Sequence, residues 1–151
     1  MQQQRTEPLP PATFRKPERL CSRKNIDELF TKNQLSFSAY PLRLLAKTIP
    51  EETKLAKTAT VQVLISVPRR HFKKAVTRNL LKRRIREAYR LHKHILLSSF
   101  HQEKQLHIGL VYTAKEVLPF ATIENKIISA MERLKNTLSS SDPKQNPFLQ
   151  Q

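Results

Sequence analysis

The sequence predicts an α+β fold, in which about three helices pack against a small and mostly antiparallel sheet. Two stretches alternate apolar and polar residues as half-buried strands do, whereas three others repeat apolar residues at the spacing of an amphipathic helix. Along the chain, we expect a helix, two or three strands, a long helix, a strand and a last helix, which with three strands is the order α-β-β-β-α-β-α. Strands and helices in this order are typical of a domain whose helices cover a small sheet.

We expect a single domain over residues 18–138. The chain has 151 residues, which is about the size of one domain. Residues 1–17 contain four prolines and three consecutive glutamines and predict a flexible N-terminal arm. Residues 139–151 are polar and predict a disordered C-terminal tail.

The first predicted element is a helix over residues 24–32. Asn25 precedes Glu28 by three residues, a spacing that fits a capping box at the helix N-terminus. The apolar residues recur at helical spacing at Ile26, Leu29 and Phe30.

Three extended segments are expected. Residues 36–48 form the first, in which Pro41 indicates an edge strand or a bulge. The short polar stretch 51–57 predicts a hairpin loop after it. Residues 58–67 and 106–113 form the other two, because each alternates apolar with polar or small side chains.

Two longer helices complete the expected fold. Neither proline nor glycine interrupts residues 69–108, so a long helix is expected over about 78–97. The last helix follows Pro119, where apolar residues from Ile123 to Leu138 fit one helical stripe.

Positive charge is concentrated in one part of the chain. The formal net charge is +16, and residues 69–94 hold eleven basic residues against one acid, Glu87. A solvated helix normally mixes acids with bases, because like charges four residues apart destabilise it by a few tenths of a kcal/mol, roughly, per pair. The concentration therefore favours a surface that binds a polyanion, above all the phosphates of a nucleic acid.

Opposite faces of the long helix differ in character. The apolar face comprises Leu81, Ile85, Ala88, Tyr89, His92, Ile95 and Leu96. The basic ridge on the other face comprises Asn79, Lys82, Arg83, Arg86, Arg90 and Lys93. Arg78 is a further candidate, although it falls beside the ridge and is expected to reach toward the residues before the helix. Those residues form a basic connection of Arg69, Arg70, Lys73 and Lys74, next to a helix N-terminus whose N–H groups favour phosphate.

The chain lacks what several classes of protein require. Its one glycine, Gly109, cannot supply a Walker phosphate loop or a dinucleotide fingerprint, which need two and three. Its one cysteine, Cys21, allows neither an internal disulfide nor a multi-cysteine zinc site. No apolar run approaches the ~20 residues of a membrane span, and no apolar region of a secretory signal opens the sequence.

No catalytic residue or metal site is predicted in the chain. A protein nuclease needs grouped carboxylates or a general acid–base pair, whereas the acids here are adjacent only at residues 27–28 and 51–52. His92 and His94 are two residues apart, so they cannot share a helix face and hold zinc. We expect His92 to pack toward the core.

The basic segment resembles the signature of the protein component of bacterial ribonuclease P. The family motif is Arg-Asn-Arg, then Lys/Arg-Arg, two residues and Arg. Residues matching it are Arg78, Asn79, Lys82, Arg83 and Arg86. Leu80 stands where the family has the third residue of Arg-Asn-Arg. Residues 14–30 also resemble the family's first segment, and the resemblance covers about 14–135.

The resemblance implies a fold and a role. The fold is of the ribosomal protein S5 domain 2-like class, with a left-handed β-α-β crossover at the motif helix, against the general preference for right-handed crossovers. The role is that of the small subunit of a cytoplasmic ribonucleoprotein that removes the 5′ leader from precursor tRNA. The implied partners are the catalytic RNA subunit, which carries the active site and its Mg²⁺, and precursor tRNA. The protein alone binds no cofactor, and neither a membrane nor an obligate protein partner is indicated.

The resemblance also implies a cleft for the single-stranded leader. Ile26 and Phe30, one turn apart on the first helix, occupy the family's cleft-facing positions. Leu42 and Leu44 share one strand face and are expected to form the cleft floor, while Phe14 is expected to lie across its end. Aromatic side chains suit this role because every base can stack on them. The alternative is that Ile26 and Phe30 pack into the core.

Three other functions compete with this prediction. A ribosomal or rRNA-binding protein fits the charge and size equally well, and only the specific motif separates it. A DNA-binding module fits less well, because a strand rather than a partner helix precedes the basic helix. A free-standing protein nuclease would need the catalytic groups that the sequence lacks.

Overall fold

The computed structural model of the chain describes residues 14–49, 61–97 and 105–140. The elements in chain order are a short 3-10 helix Lys16–Glu18, α1 Arg23–Thr31, β1 Leu35–Ala39, β2 Leu42–Ile49, β3 Val61–Ser66, α2 Ala75–His92, α3 His94–Leu97, β4 Gln105–Tyr112 and α4 Phe120–Ser140. This confirms the α+β class and the order of the elements.

The four strands form one sheet in the order β1-β2-β4-β3. The pairs β1–β2 and β2–β4 are antiparallel, whereas β3 and β4 run parallel. A parallel neighbour requires a crossover between the two strands, and here α2 and α3 lie in that crossover. The basic helix is therefore part of a β-α-β unit, as the resemblance implied.

Alternation along the strands gives the sheet two different apolar faces. One face packs against α2 and α4 and forms the main core, in which Leu44 and Ile108 of the sheet meet Ile85 of α2. The other face packs against α1, where Leu29 and Leu45 form a smaller cluster. The sheet is thus enclosed by helices on one side and partly covered by a single helix on the other.

The start of α1 differs from the prediction. The N-cap is Ser22, whose side chain accepts a hydrogen bond from the Asn25 backbone N–H at 3.5 Å. Asn25 therefore lies inside the helix, and the predicted capping box is wrong. Glu28 does not fold back onto the helix terminus, because its carboxylate pairs with Lys47.

The extended segment predicted over 36–48 is two strands. A turn at Tyr40 and Pro41 separates β1 from β2, so Pro41 marks a turn rather than an edge or a bulge. The backbone N–H of Thr113, just beyond β4, donates to the Pro41 carbonyl at 2.8 Å and holds the turn against the sheet. The loop predicted over 51–57 lies outside the described residues.

The predicted boundaries of the basic helix are also corrected. The helix α2 begins at Ala75, earlier than predicted, and ends at His92, and the short helix α3 follows it.

The segment 14–17, assigned to a flexible arm, packs on the domain: the Phe14 ring meets the Tyr89 ring edge-on, with centroids 5.6 Å apart. At the other end, α4 runs into residues 139–140, which were assigned to the tail.

Candidate nucleic-acid interface

The connection between β3 and α2 is shaped by an arginine. The Nη1 atom of Arg78 donates to the carbonyl of Phe72 at 2.8 Å and to that of Lys73 at 2.9 Å. These bonds satisfy two carbonyls that lie before the helix, and the buried Phe72 ring fixes the connection to the core. Arg78 therefore reaches back to the connection and holds it in place.

Side chains of the connection are directed outward. All four of its cations are exposed: Arg69, Arg70, Lys73 and Lys74. A turn, closed by the His71 backbone N–H donating to the Pro68 carbonyl at 3.3 Å, brings them beside the first turn of α2. Their charges thus extend the cationic surface past the helix N-terminus, where unpaired N–H groups already attract anions.

The two faces of α2 are those that the sequence predicted. The buried residues are Leu81, Ile85, Ala88 and Tyr89. On the outward side, Asn79, Arg83 and Arg86 are exposed, and Lys82 is half-buried. The helix axis is thereby fixed against the sheet, and the guanidinium groups project from a rigid support, which suits contact with phosphate oxygens.

Arg90, a predicted member of the ridge, is paired with an acid. The Nε atom of Arg90 donates to Glu87 Oε2 at 3.0 Å, one turn earlier on the same helix. This ion pair holds the pKa of the Glu87 carboxyl below its ordinary value, chiefly through the hydrogen bond from Arg90. Arg90 therefore contributes less net charge to the ridge than Arg83 or Arg86.

Lys93 does not belong to the ridge. Its side chain is buried, and its Nζ atom donates to Glu18 Oε1 at 2.6 Å. The backbone of Lys93, at the C-cap of α2, keeps right-handed helical geometry, so the ion pair with Glu18 and not a change of backbone direction takes this side chain out of the ridge. The predicted placement is wrong because the acid that captures it lies 75 residues away in the sequence.

Arg84 was not singled out by the sequence and has a structural role. Its Nη1 atom donates to the Leu118 carbonyl at 2.6 Å, in the loop that leads to α4. The same loop is held by the Tyr112 hydroxyl, which accepts from the Leu118 backbone N–H at 3.1 Å. Arg84 thus ties α2 to the loop before α4, although its residue type and neighbours resemble those of the ridge.

The α1 side of the sheet is a second, less charged surface. Ile26 is half-buried against the cluster of Leu29 and Leu45, whereas Phe30 is 43% exposed at the far end of the helix. Phe14 does not join them, because it packs on Tyr89 of α2. The structure therefore brings Ile26 and Phe30 onto one helix and places Phe14 elsewhere.

The two strand residues predicted to form the cleft floor are buried in the main core. Leu42 and Leu44 are each 1% exposed and belong to the core under α2 and α4. Their strand neighbours Arg43 and Leu45 point to the α1 side instead, as the period of two requires. Leu42 and Leu44 are buried because α2 and α4 cover the more apolar face of β2. The other face of β2, which carries both charged and apolar side chains, packs against α1.

Other residues of the α1 side were missed by the sequence reasoning. Leu64 of β3 and Val111 of β4 are half-buried beside Leu45. Arg43 is exposed on the same side, and its Nε donates to the Ser36 hydroxyl at 2.9 Å. The signal that identifies this face is the alternation of polar with apolar residues in β2, where Arg43 and Lys47 accompany Leu45.

Ion pairing organises the other end of this face. Lys47 Nζ donates to Glu28 Oε2 at 2.9 Å, which joins β2 to α1. The hydrogen bond and the charge of Lys47 hold the pKa of the Glu28 carboxyl below its ordinary value. His107 lies opposite Lys47 in the sheet; burial, assisted by the Lys47 charge, lowers the pKa of its imidazole.

The described residues contain neither a cluster of metal-binding side chains nor a helix that could span a membrane. Among residues 14–49, 61–97 and 105–140, no three His, Cys, Asp or Glu side chains lie together as a metal site would need. Within the same ranges, every helix is too short or too polar to cross a bilayer. His92 is half-buried, with its Nε2 atom 3.4 Å from Glu124 Oε2 on α4.

The basic surface and the fold that supports it coincide with a known family. The model of the family described as ribonuclease P matches residues 14–135, a range that includes α1, the whole sheet and α2. The chain belongs to the ribonuclease P protein family. Ribonuclease P protein components from two strains of Porphyromonas gingivalis are each 36% identical over 135 residues, covering 87% of this chain and 94% of theirs.

Solved structures agree on the fold of this ribonuclease P family member. The ribonuclease P protein of Thermotoga maritima superimposes with a TM-score of 0.58 at 24% identity, over 77% of this chain and 96% of that chain. A ribonuclease P protein of Staphylococcus aureus gives a TM-score of 0.58 at 19% identity, over 78% and 95%. The recognition made on the basic motif is thereby confirmed.

Proposed function

We propose that this chain is the protein subunit of ribonuclease P and binds the catalytic RNA subunit through α2 and the connection before it. The observation that carries the proposal is that the family match over residues 14–135 includes a rigid helix whose outward side is cationic. Phosphates of a folded RNA are the partners that such a surface suits best.

The second part of the proposal concerns the 5′ leader of precursor tRNA. The leader lies on the α1 side of the sheet, where Phe30 offers a stacking surface and Arg43 a cation. The floor comprises Leu45, Leu64 and Val111 in place of the two leucines first expected. A surface with apolar and cationic groups side by side suits a single strand of any sequence.

Chemistry belongs, in this proposal, to the RNA subunit and the Mg²⁺ ions that it holds. The carboxylates of Glu28 and Glu87 are occupied by Lys47 and Arg90. Ion pairing lowers the pKa of each carboxyl, which makes it a weaker general base. The protein's part is to bind and orient both RNAs. We also propose a cytoplasmic location, where a bacterial precursor tRNA is processed.

Processing of a precursor tRNA in three mixtures tests this function. The mixtures contain the RNA subunit of the same organism, that RNA with the protein, and the protein without the RNA. We expect faster removal of the leader when protein and RNA are combined, and no cleavage by the protein without the RNA. Cleavage by the protein without the RNA, or an RNA subunit whose rate the protein leaves unchanged, would contradict the proposal. Copurification with rRNA instead would favour a ribosomal role.

A further inference from the structure

A second group of cations lies outside α2 and the connection before it. Residues 15–24 hold five basic side chains and one acid, Glu18. Together with residues 69–94, this short segment accounts for +14 of the formal net charge of +16. All five cations are exposed: Arg15, Lys16, Arg19, Arg23 and Lys24.

The one acid of this segment is turned inward. Glu18 Oε1 accepts from Lys93 Nζ at 2.6 Å, and Glu18 Oε2 accepts from the Arg15 backbone N–H at 2.6 Å. Both carboxylate oxygens are thus occupied within the fold. The negative charge neutralises a buried lysine and does not offset the exposed cations around it.

Backbone bonds hold the segment against the open edge of β3. The Leu20 N–H donates to the Val63 carbonyl at 3.0 Å, and Gln62 Nε2 donates to the Pro17 carbonyl at 3.0 Å. Leu20 itself is buried in the cluster under α1. The cations therefore stand on an ordered support, so that little conformational freedom of the backbone is lost when a ligand binds.

The segment also joins the two surfaces already described. Phe14 packs on Tyr89 in the last part of α2, and the segment then leads into α1. The first turn of α1 carries Arg23 and Lys24 and no acid. Cations at a helix N-terminus oppose the positive end of the helix dipole, an arrangement that an anion bound there relieves.

We propose that the basic segment, residues 15–24, is a second phosphate-binding surface that contacts an RNA backbone between α2 and α1. The inference rests on the proposed function, since it places the same class of ligand on an adjoining surface. The shared chemistry is the phosphodiester of RNA, whether it comes from the RNA subunit or from precursor tRNA.

A triple variant, Lys16→Gln, Arg23→Gln and Lys24→Gln, tests the inference. A matched control removes three lysine charges outside the basic segment, from the loop before α4 and from α4 itself, with Lys115→Gln, Lys126→Gln and Lys135→Gln. Affinity is measured against salt for three RNAs: the RNA subunit, precursor tRNA and mature tRNA. Melting curves of both variants establish that they fold.

The slope of log K against log salt should become shallower by about 2.1–2.7 in the triple variant, because each of the three lost phosphate contacts removes about 0.7–0.9. The ratio of wild-type to triple-variant affinity should then fall by about 18- to 42-fold as salt rises from 50 to 200 mM. A change confined to the RNA subunit, or to precursor tRNA, supports the inference and identifies the source of the phosphates.

An unchanged slope with all three RNAs, or an equal change in the control variant, would overturn the inference. The wild-type protein, measured in parallel, separates this result from failure of the proposed function. If the wild-type protein binds the RNA subunit and accelerates processing while the triple variant keeps its slope, only the second surface is disproved.

Discussion

Leu29 of α1 lies directly over Gly109 of β4, so closely that a Cβ atom on residue 109 would stand 3.2 Å from Leu29 Cδ2. Gly109 pairs with Leu45 on one side and Leu64 on the other, in the middle of the sheet. The single glycine of the chain thus permits a close approach between helix and sheet, and it sets the height of α1 above the surface proposed for the leader.

We expect Gly109→Val to lower the free energy of unfolding by about 1–3 kcal/mol, the usual cost of overpacking a filled site. The added side chain meets Leu29, which is fully buried and has little room to withdraw. Urea denaturation measures the loss. Combining Gly109→Val with Leu29→Ala should recover part of it, because the shortened side chain vacates the space; strictly additive losses would contradict the contact.

The salt dependence of RNA-subunit binding should report the exposed arginines of α2. Replacing Arg83 and Arg86 with glutamine removes two outward charges, so the slope of log K against log salt should become shallower by about 1.4–1.8. The change is measured by equilibrium binding over a range of salt concentrations.

Arg84 supplies the control for this experiment, since it lies between Arg83 and Arg86 in the sequence but donates to the Leu118 carbonyl. Arg84→Gln should lower the melting temperature and change the salt slope by less than about 0.7, which is less than one phosphate contact. A slope unaffected by the Arg83 and Arg86 changes would remove α2 from the interface.

Phe30→Ala should weaken binding of precursor tRNA more than binding of mature tRNA. The ring is 43% exposed, so truncation costs little core packing, while loss of a stacked base costs roughly 1–3 kcal/mol. Affinities of both tRNAs for the complex of protein and RNA subunit measure the difference. Phe37→Ala is the matched control, because Phe37 is buried and its loss should chiefly lower the melting temperature. Equal weakening of both tRNAs by Phe30→Ala would place the leader elsewhere.

Stability should depend on pH through His107. Burial lowers the pKa of this imidazole from its ordinary value of 6.5, so the unfolded chain binds a proton more readily than the folded one. The contribution of the neutral ring is complete above pH 6.5 and is lost as the pH falls through and below that value.

The unfolding free energy of His107→Gln should accordingly fall less steeply than that of the wild type between about pH 7 and pH 5. Parallel profiles for the wild type and His107→Gln would show that the ring titrates alike in the folded and unfolded states.

Local pattern was enough to predict the existence and type of α1, α2 and α4, the strands β3 and β4, and the buried and exposed faces of α2. Each of these depends on periodicity within one element, as in the burial of Leu81, Ile85 and Tyr89 opposite the exposed Arg83 and Arg86. The basic motif likewise sufficed for the family, because its residues are contiguous in the sequence.

Only the tertiary structure decided which neighbour each face meets. Periodicity separates Leu42 and Leu44 from Arg43 and Leu45, but it does not say which pair faces the two large helices. The position of Lys93 was likewise decided by the tertiary structure, because Glu18, the acid that pairs with it and draws it away from the ridge, is remote in the sequence. Pattern within an element reports which side chains share a face, whereas burial and charge pairing depend on elements brought together by the fold.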